Sequence, residues 1–387
     1  MRKPLAVWQR FALGFDADEP GWSTGPWFTM NAVVDVRGPL DVRRLEQAYR
    51  QLVDRNALLR TRIEDDTQVI RPEVPVELEL ADASAELLHA PVEFTALSPL
   101  RVRLAKVDKD RHLLCVHIHH MMADPVTLWA LLAELAALYR GPLPAPMAQF
   151  WQYAEDQARL LEDGRTAAEA WWRRVAFTDL AVPSPTPEAG FALRQRVLTA
   201  DEVTEVERFS RKNRSTMFVS LLAGIACAMQ PYLGPGDNVL FNTLLSRRNR
   251  IEWRAMPGPC TVPAFMPLPR PPATLTGDYV AVVRDVVLGA QQNVMDPPTN
   301  VPCPFIEYLP DSRPQDLSFG AATGSVVDAA GPRDIGRAHA LGIRARRTAD
   351  GELFAHLSGD GIGWSKERTS AVCATLPWRV DRVSEVS

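Results

Sequence analysis

The run Leu113-Leu114-Cys115-Val116-His117-Ile118-His119-His120-Met121-Met122-Ala123-Asp124-Pro125 passes from a strand pattern to a helix start. Its apolar, β-branched first half predicts a buried strand. Asp124 is a good N-cap, because its carboxylate accepts from the open N–H groups of a first turn, and Pro125 suits the next position, where no N–H is needed. Residues 126–139 then place Leu128, Leu131, Leu132, Leu135, Leu138 and Tyr139 on one helical stripe. Two adjacent histidines therefore stand where a strand gives way to a helix. Side chains at such places face a ligand while the scaffold stays rigid.

Alternation along a strand puts His117 and His119 on one face and His120 on the other. Any of them could be a hydrogen-bonded core residue, and the stretch alone fits a structural role as well as a functional one. Concentration tips the reading: of seven histidines in the chain, His112, His117, His119 and His120 fall together, while His89, His339 and His356 are scattered. An imidazole, with an ordinary pKa of about 6.5, is suited to accept a proton near neutrality. Metal binding is not expected, since no H-E-x-x-H helix and no C-x-x-C accompanies them.

A length of 387 residues suggests two comparable domains. Apolar residues at 46% and charged residues at 23% are the proportions of a globular protein in water. The net charge of -4 gives no sign of a nucleic-acid surface, although Arg247-Arg248-Asn249-Arg250 is a local basic cluster. Cys115, Cys227, Cys260, Cys303 and Cys373 are odd in number and widely spaced, which predicts reduced, buried thiols in a cytoplasmic protein. No h-region follows Met1-Arg2-Lys3-Pro4 and no apolar run reaches spanning length, so neither secretion nor membrane insertion is expected.

Helical spacing runs from Asp41 to Val53, and Arg55 to Ile63 reads as a helix end entering a strand. Strands are expected at 67–70 and 75–80, and a hairpin pair at 100–106 and 112–119, turning at Asp108-Lys109-Asp110. Gly141 to Pro146 breaks the chain before a helix over 148–175. Pro183, Pro185 and Pro187, among Ser, Thr and Glu, mark an extended linker over 178–192, between a lobe at 1–177 and another at 193–387. The second half predicts helices at 201–213 and 216–232, a turn at Gly234-Pro235-Gly236-Asp237 and a strand from Asn238 to Leu245. A Pro-rich stretch from Met256 to Pro272, a helix at 276–293 and a β–β–α run over 340–376 follow.

These motifs resemble those of the condensation domains of nonribosomal peptide synthetases, within the chloramphenicol-acetyltransferase-like superfamily. Arg55-Asn56-Ala57-Leu58-Leu59-Arg60-Thr61-Arg62 is similar to R-H-E-x-L-R-T, and His119-His120-Met121-Met122-Ala123-Asp124-Pro125 to H-H-x-x-x-D-G. Phe150 to Gln157 resembles the helix start that follows, and Trp172 the tryptophan closing the N-terminal half. Asn242 to Arg250 with Gly258-Pro259 is similar to the arginine-ending strand and the G-x-F-V-N-T crossing segment. Val301-Pro302-Cys303-Pro304-Phe305-Ile306-Glu307 resembles V-P-F-E. Two departures stand out: Pro125 replaces the motif glycine, and Cys260-Thr261-Val262-Pro263 replaces the usual Phe and Asn. A third is the chain's shortness. Asp360-Gly361-Ile362-Gly363-Trp364 also echoes the D-F-G-W-G of plant CoA acyltransferases, an echo that a strand-to-helix turn explains equally well.

The resemblance implies an α+β fold of two-layer sandwiches, a pseudo-dimer of two chloramphenicol-acetyltransferase-like lobes forming a V with a central tunnel. It implies His120 as the catalytic residue, with His119, Asp124 and Arg248 as structural support, Asp124 pairing with Arg248. The function it implies is a free-standing condensation-type acyltransferase of natural-product biosynthesis, in the cytoplasm, making an amide or ester. No tightly bound cofactor is expected. The acyl group would arrive on the phosphopantetheine of an acyl or peptidyl carrier protein, and the nucleophile would be a small-molecule amine or alcohol. A monomer is expected. The alternatives are a CoA-dependent acyltransferase of the same superfamily and a catalytically inactive, carrier-binding module, the latter kept open by Pro125.

Overall fold

The computed structural model describes residues 1–18, 20–173, 190–233, 238–294, 303–310, 313–314, 317–327, 341–359 and 363–378. Its elements begin with β1 (Arg2–Pro4), α1 (Val7–Asp18), β2 (Thr29–Arg37), α2 (Val42–Arg55), β3 (Thr61–Glu64), β4 (Thr67–Ile70) and β5 (Glu79–Ala81). Next come α3 (Ala85–Leu88), β6 (Leu100–Asp108), β7 (Arg111–His119), α4 (Pro125–Arg140), α5 (Phe150–Trp172), β8 (Phe191–Leu198), α6 (Ala200–Lys212) and α7 (Met217–Met229). The remainder is β9 (Asn238–Ser246), β10 (Thr261–Pro269), α8 (Gly277–Gln292), β11 (Phe305–Leu309), β12 (Leu317–Phe319), β13 (Ala322–Val327), β14 (Leu341–Arg347), β15 (Leu353–Gly359) and α9 (Lys366–Ala374).

Two compact units emerge, and neither is continuous in sequence. The first holds residues 1–163, 246–262 and 312–333, the second 164–245, 263–311 and 334–387. Two segments beyond the expected linker thus cluster with the N-terminal unit. One reason is β13, which pairs antiparallel with β2 from Thr323↔Arg37 to Val327↔Val33. Of the linker itself, 178–189 lie outside the described residues, and Phe191 and Ala192 already belong to β8. The expected turn at 234–237, Val301-Pro302 and Asp360-Gly361-Ile362 also lie outside them.

The first unit is built on a six-stranded sheet, ordered β12-β13-β2-β7-β6-β5. The expected hairpin is present as β6 and β7, with Leu104↔Leu114 and Arg101↔His117 in register. Leu114, Val116 and Ile118 share a core with Leu45, Leu52 and Val53 of α2 and Leu128, Leu131, Leu132 and Leu135 of α4. All six stripe residues expected on α4 are buried. A fully buried leucine contributes roughly 2 kcal/mol, against well under 1 kcal/mol of helix propensity per residue, so packing holds this helix in place. The opposite face of β7 is covered too, Cys115 meeting Val33, Ala105 and Leu87. A strand buried on both faces reads as a nearly continuous apolar run, as this one does.

The second unit is built on another six-stranded sheet, ordered β10-β9-β11-β14-β15-β8. β11 runs parallel to both β9 and β14, while β14, β15 and β8 are antiparallel. Its Pro-rich strand β10 was not legible in the sequence. Pro263, Pro267 and Pro269 fit there because β10 is at the sheet edge, where a missing N–H removes no ladder bond from a neighbour. The strand expected at 75–80 forms only over Glu79–Ala81, since Pro72 and Pro75 interrupt the chain ahead of it. All five cysteines are buried, and none is in a disulfide. Among the described residues no single helix is long and apolar enough to cross a membrane.

Candidate active site

β7 ends at His119, and His120–Met122 form a single 3-10 turn. His120 therefore does not occupy the strand's second face, as alternation suggested, but stands in the turn beyond it. Its backbone N–H donates to the Phe28 carbonyl at 2.7 Å, extending the β2–β7 ladder by one bond. The ring's Nδ1 lies 2.9 Å from the Ala123 carbonyl oxygen. A carbonyl can only accept, so Nδ1 carries the proton, and in the neutral ring the basic lone pair belongs to Nε2. The ring stacks on Phe28 at 4.8 Å and 16°, and Trp8 is 5.5 Å away on a tilt of 38°. The residue is half-buried.

His119 and His117 differ. His119 is 2% exposed, accepts from the Met121 N–H at Nδ1 (3.3 Å), and packs edgewise near Phe28 and at a tilt near Phe94. Burial pushes its pKa down to about 4. His117 is fully buried with Nδ1 against the Asn31 side-chain oxygen, and burial, with Arg103 and Arg101 nearby, pushes it down to about 3. Both rings are neutral at physiological pH.

Asp124 caps α4 as expected, accepting from the Thr127 N–H at 2.7 Å, with Pro125 in the first turn. The same carboxylate binds Arg248, whose Nη2 lies 2.9 and 3.0 Å from its two oxygens. The Cys260 N–H donates to Oδ2 at 3.1 Å and the Thr127 hydroxyl to Oδ1 at 2.7 Å. Arg248 also donates to the carbonyls of Trp253 and Met256, each at 2.7 Å, and of Gly258 at 2.8 Å. Burial works against the guanidinium charge, yet Asp124 beside it holds its pKa above the ordinary arginine value. The side chains of the pair are only 7% and 3% exposed. Gly258, at φ +142°, is tied to Thr127 by its N–H at 2.9 Å, and a Cβ there would come within 2.1 Å of the Phe150 ring. Only glycine fits.

The structure brings Asp124 and Arg248 into contact within the first unit and sets His119 and His120 at the head of the same turn. Sequence reasoning quoted Gly258 only as part of the crossing segment, and missed Thr127, Trp8 and Phe28. Thr127, three residues past the cap, carried a weak signal; the two aromatics carried none. Among the described residues no group of three His, Cys, Asp or Glu could hold a metal ion. The arrangement is chemically simple: one oriented imidazole with its basic nitrogen specified, braced by a buried ion pair.

The condensation-domain family model matches residues 24–293. Surfactin synthase subunit 1 of Bacillus subtilis (strain 168) is 28% identical over 254 residues, 60% of this chain. Tyrocidine synthase 2 of Brevibacillus parabrevis is 31% identical over 241 residues, 57% of this chain. The chain spans 7% of the length of each of these two relatives. In three dimensions the X-domain in its complex with OxyB from teicoplanin biosynthesis superposes with a TM-score of 0.75 at 21% identity, over 97% of this chain and 91% of that one. VibH, described as an NRPS condensation enzyme, gives 0.69 at 14% identity, over 94% and 92%. At such identities the structural likeness establishes the α+β, chloramphenicol-acetyltransferase-like fold, and the family match goes further: this chain belongs to the condensation-domain family.

Proposed function

We propose that the chain is a condensation-type acyltransferase that moves an acyl group from a carrier-bound phosphopantetheine thioester onto a small amine or alcohol. The observation carrying this reading is the His120 ring, half-buried, with Nδ1 committed to the Ala123 carbonyl and Nε2 left as the basic atom. In this chemistry Nε2 takes the proton of the nucleophile as its nitrogen or oxygen bonds to the thioester carbonyl carbon. The tetrahedral adduct then expels the thiolate, which leaves as the free thiol with the proton returned from the imidazolium. General-base help of this kind contributes about 10²–10⁴-fold, and alignment of two substrates can contribute more. Asp124 and Arg248 act as structural support, fixing the turn and the start of α4 rather than touching the reacting atoms.

Pro125 favours a second reading, a condensation-like module that binds a carrier protein without catalysis, because its ring occupies a position where the resembled motif has no side chain. One experiment separates the readings. The purified protein is offered matched acyl-carrier and acyl-CoA donors, alongside His120→Ala. Transfer from the carrier donor that collapses in the variant supports the proposal; transfer from CoA alone reassigns the donor. Carrier binding with equal, background product formation in both proteins establishes the non-catalytic module.

A further inference from the structure

Residue 120 is held from its backbone and from its ring, and two residues far away in sequence grip both. Trp8 donates its indole N–H to the His120 carbonyl at 3.3 Å and lays its ring 5.5 Å from the imidazole. Phe28 offers its carbonyl to the His120 N–H at 2.7 Å and stacks its ring on the imidazole at 4.8 Å. The two aromatics are the ends of a circuit of rings that the imidazole closes: Trp8 to Phe11 (6.2 Å), Phe11 to Phe15 (4.8 Å), Phe15 to Trp22 (4.8 Å), Trp22 to Phe28 (5.0 Å). Trp8, Phe11 and Phe15 recur at helical spacing on one side of α1.

Both ends of the circuit are anchored by polar contacts. At the start of α1 the Val7 N–H donates to Gln157 Oε1 at 2.7 Å, and Gln9 Nε2 reaches the Met121 carbonyl at 3.4 Å. Ahead of Phe28, Asp16 accepts from the backbone N–H groups of Ser23 at 2.6 Å and Thr24 at 3.1 Å, as well as from both hydroxyls. Pinned at both ends, the aromatics cannot easily slide away from the imidazole.

We propose that Trp8 and Phe28 are positioning residues for His120. They clamp the imidazole so that Nδ1 stays on the Ala123 carbonyl and Nε2 keeps one direction. Without a ring on either side, the imidazole can turn about its side-chain bonds and exchange the Nδ1–H tautomer for the Nε2–H one, which has no base to offer at Nε2. A displacement of about 1 Å of a reacting group can cost about 10²-fold in rate. The kinetic part of this inference rests on the acyltransferase reading; the tautomer does not.

The test compares Trp8→Leu, Trp8→Phe and Phe28→Leu with the wild type, each checked for folding by thermal melting. Nitrogen-15 NMR of the His120 ring, assigned against His120→Ala, reads the tautomer directly. The expected wild-type state is almost wholly Nδ1–H. Trp8→Leu and Phe28→Leu should bring in a comparable Nε2–H fraction and lower kcat about 10–100-fold with KM within about twofold. Trp8→Phe, which keeps a smaller aromatic ring and loses the N–H, should fall between. If Trp8→Leu does not fold, Phe28→Leu, which keeps the backbone bond, decides. Folded variants with an unchanged tautomer overturn the clamp. A wild type that transfers nothing removes the acyltransferase reading, and the NMR result still decides the clamp.

Discussion

His117 and His119 hang from a strand whose two faces are both covered, while His120, one residue later, stands in a turn. The first two are buried, and their pKa values fall to about 3 and about 4. His120 is half-buried, with its backbone and ring each given partners. Identical side chains within four positions thus acquire different chemistry. What separates them is where the ladder stops. A histidine inside the sheet is packing material held neutral by burial, and one at its end can be both oriented and reached.

The strongest way to break this contrast is to exchange the two kinds of histidine. His120→Ala should lower transfer about 10²–10⁴-fold with little change in melting temperature, while His117→Gln should leave kcat within severalfold and lower stability instead. Parallel turnover assays and thermal melts check both. If the buried histidine proved as costly to turnover as His120, the distinction between filler and base would collapse.

Next in size is the brace beneath the turn. Arg248→Ala leaves the Asp124 carboxylate buried without its partner, which should cost about 3–5 kcal/mol in urea unfolding. The loss should exceed that from substituting any exposed arginine, since exposed pairs contribute about 0–1 kcal/mol.

Acid should sharpen the contrast further. For His117 and His119 the folded pKa lies below the unfolded value of about 6.5, so the unfolded chain takes up their protons first. Their stabilisation is complete above about pH 6.5 and is lost as pH falls toward about 4 and about 3, at up to roughly 1.4 kcal/mol per pH unit for each ring. Denaturation measured at pH 7 and pH 5 should show a smaller drop in His117→Gln than in the wild type. The smallest effect belongs to Thr127→Ser, which keeps the hydroxyl shared by Asp124 and Gly258 and loses one methyl group. About 1 kcal/mol is expected by calorimetry, with activity retained.

Much of this was legible beforehand, and the reason differs by residue. The β6–β7 hairpin, the Asp124 cap, Pro125 in the first turn and the α4 stripe are set by neighbours within a few positions, so periodicity and cap chemistry expose them. The Asp124–Arg248 pair was reached through family resemblance and not through local pattern. The N-terminal helix and β2, which bring Trp8 and Phe28 to the imidazole, left no trace that singled those two residues out. Nor did the Pro-rich stretch announce β10, because tolerance of proline depends on which strand ends up at the edge.

By itself the sequence determined the kind of protein: a condensation-type α+β chain with a histidine pair at a strand-to-helix turn and a capping aspartate behind it. Tertiary structure decided which nitrogen of His120 faces the Ala123 carbonyl, which rings pack on the imidazole, and that segments 246–262 and 312–333 join the N-terminal unit. The physical reason is range. Caps and stripes are written in steps of two to four residues, whereas Trp8 meets His120 across 112 positions and Thr127 meets Gly258 across 131. Contacts of that span exist only once the chain has closed on itself.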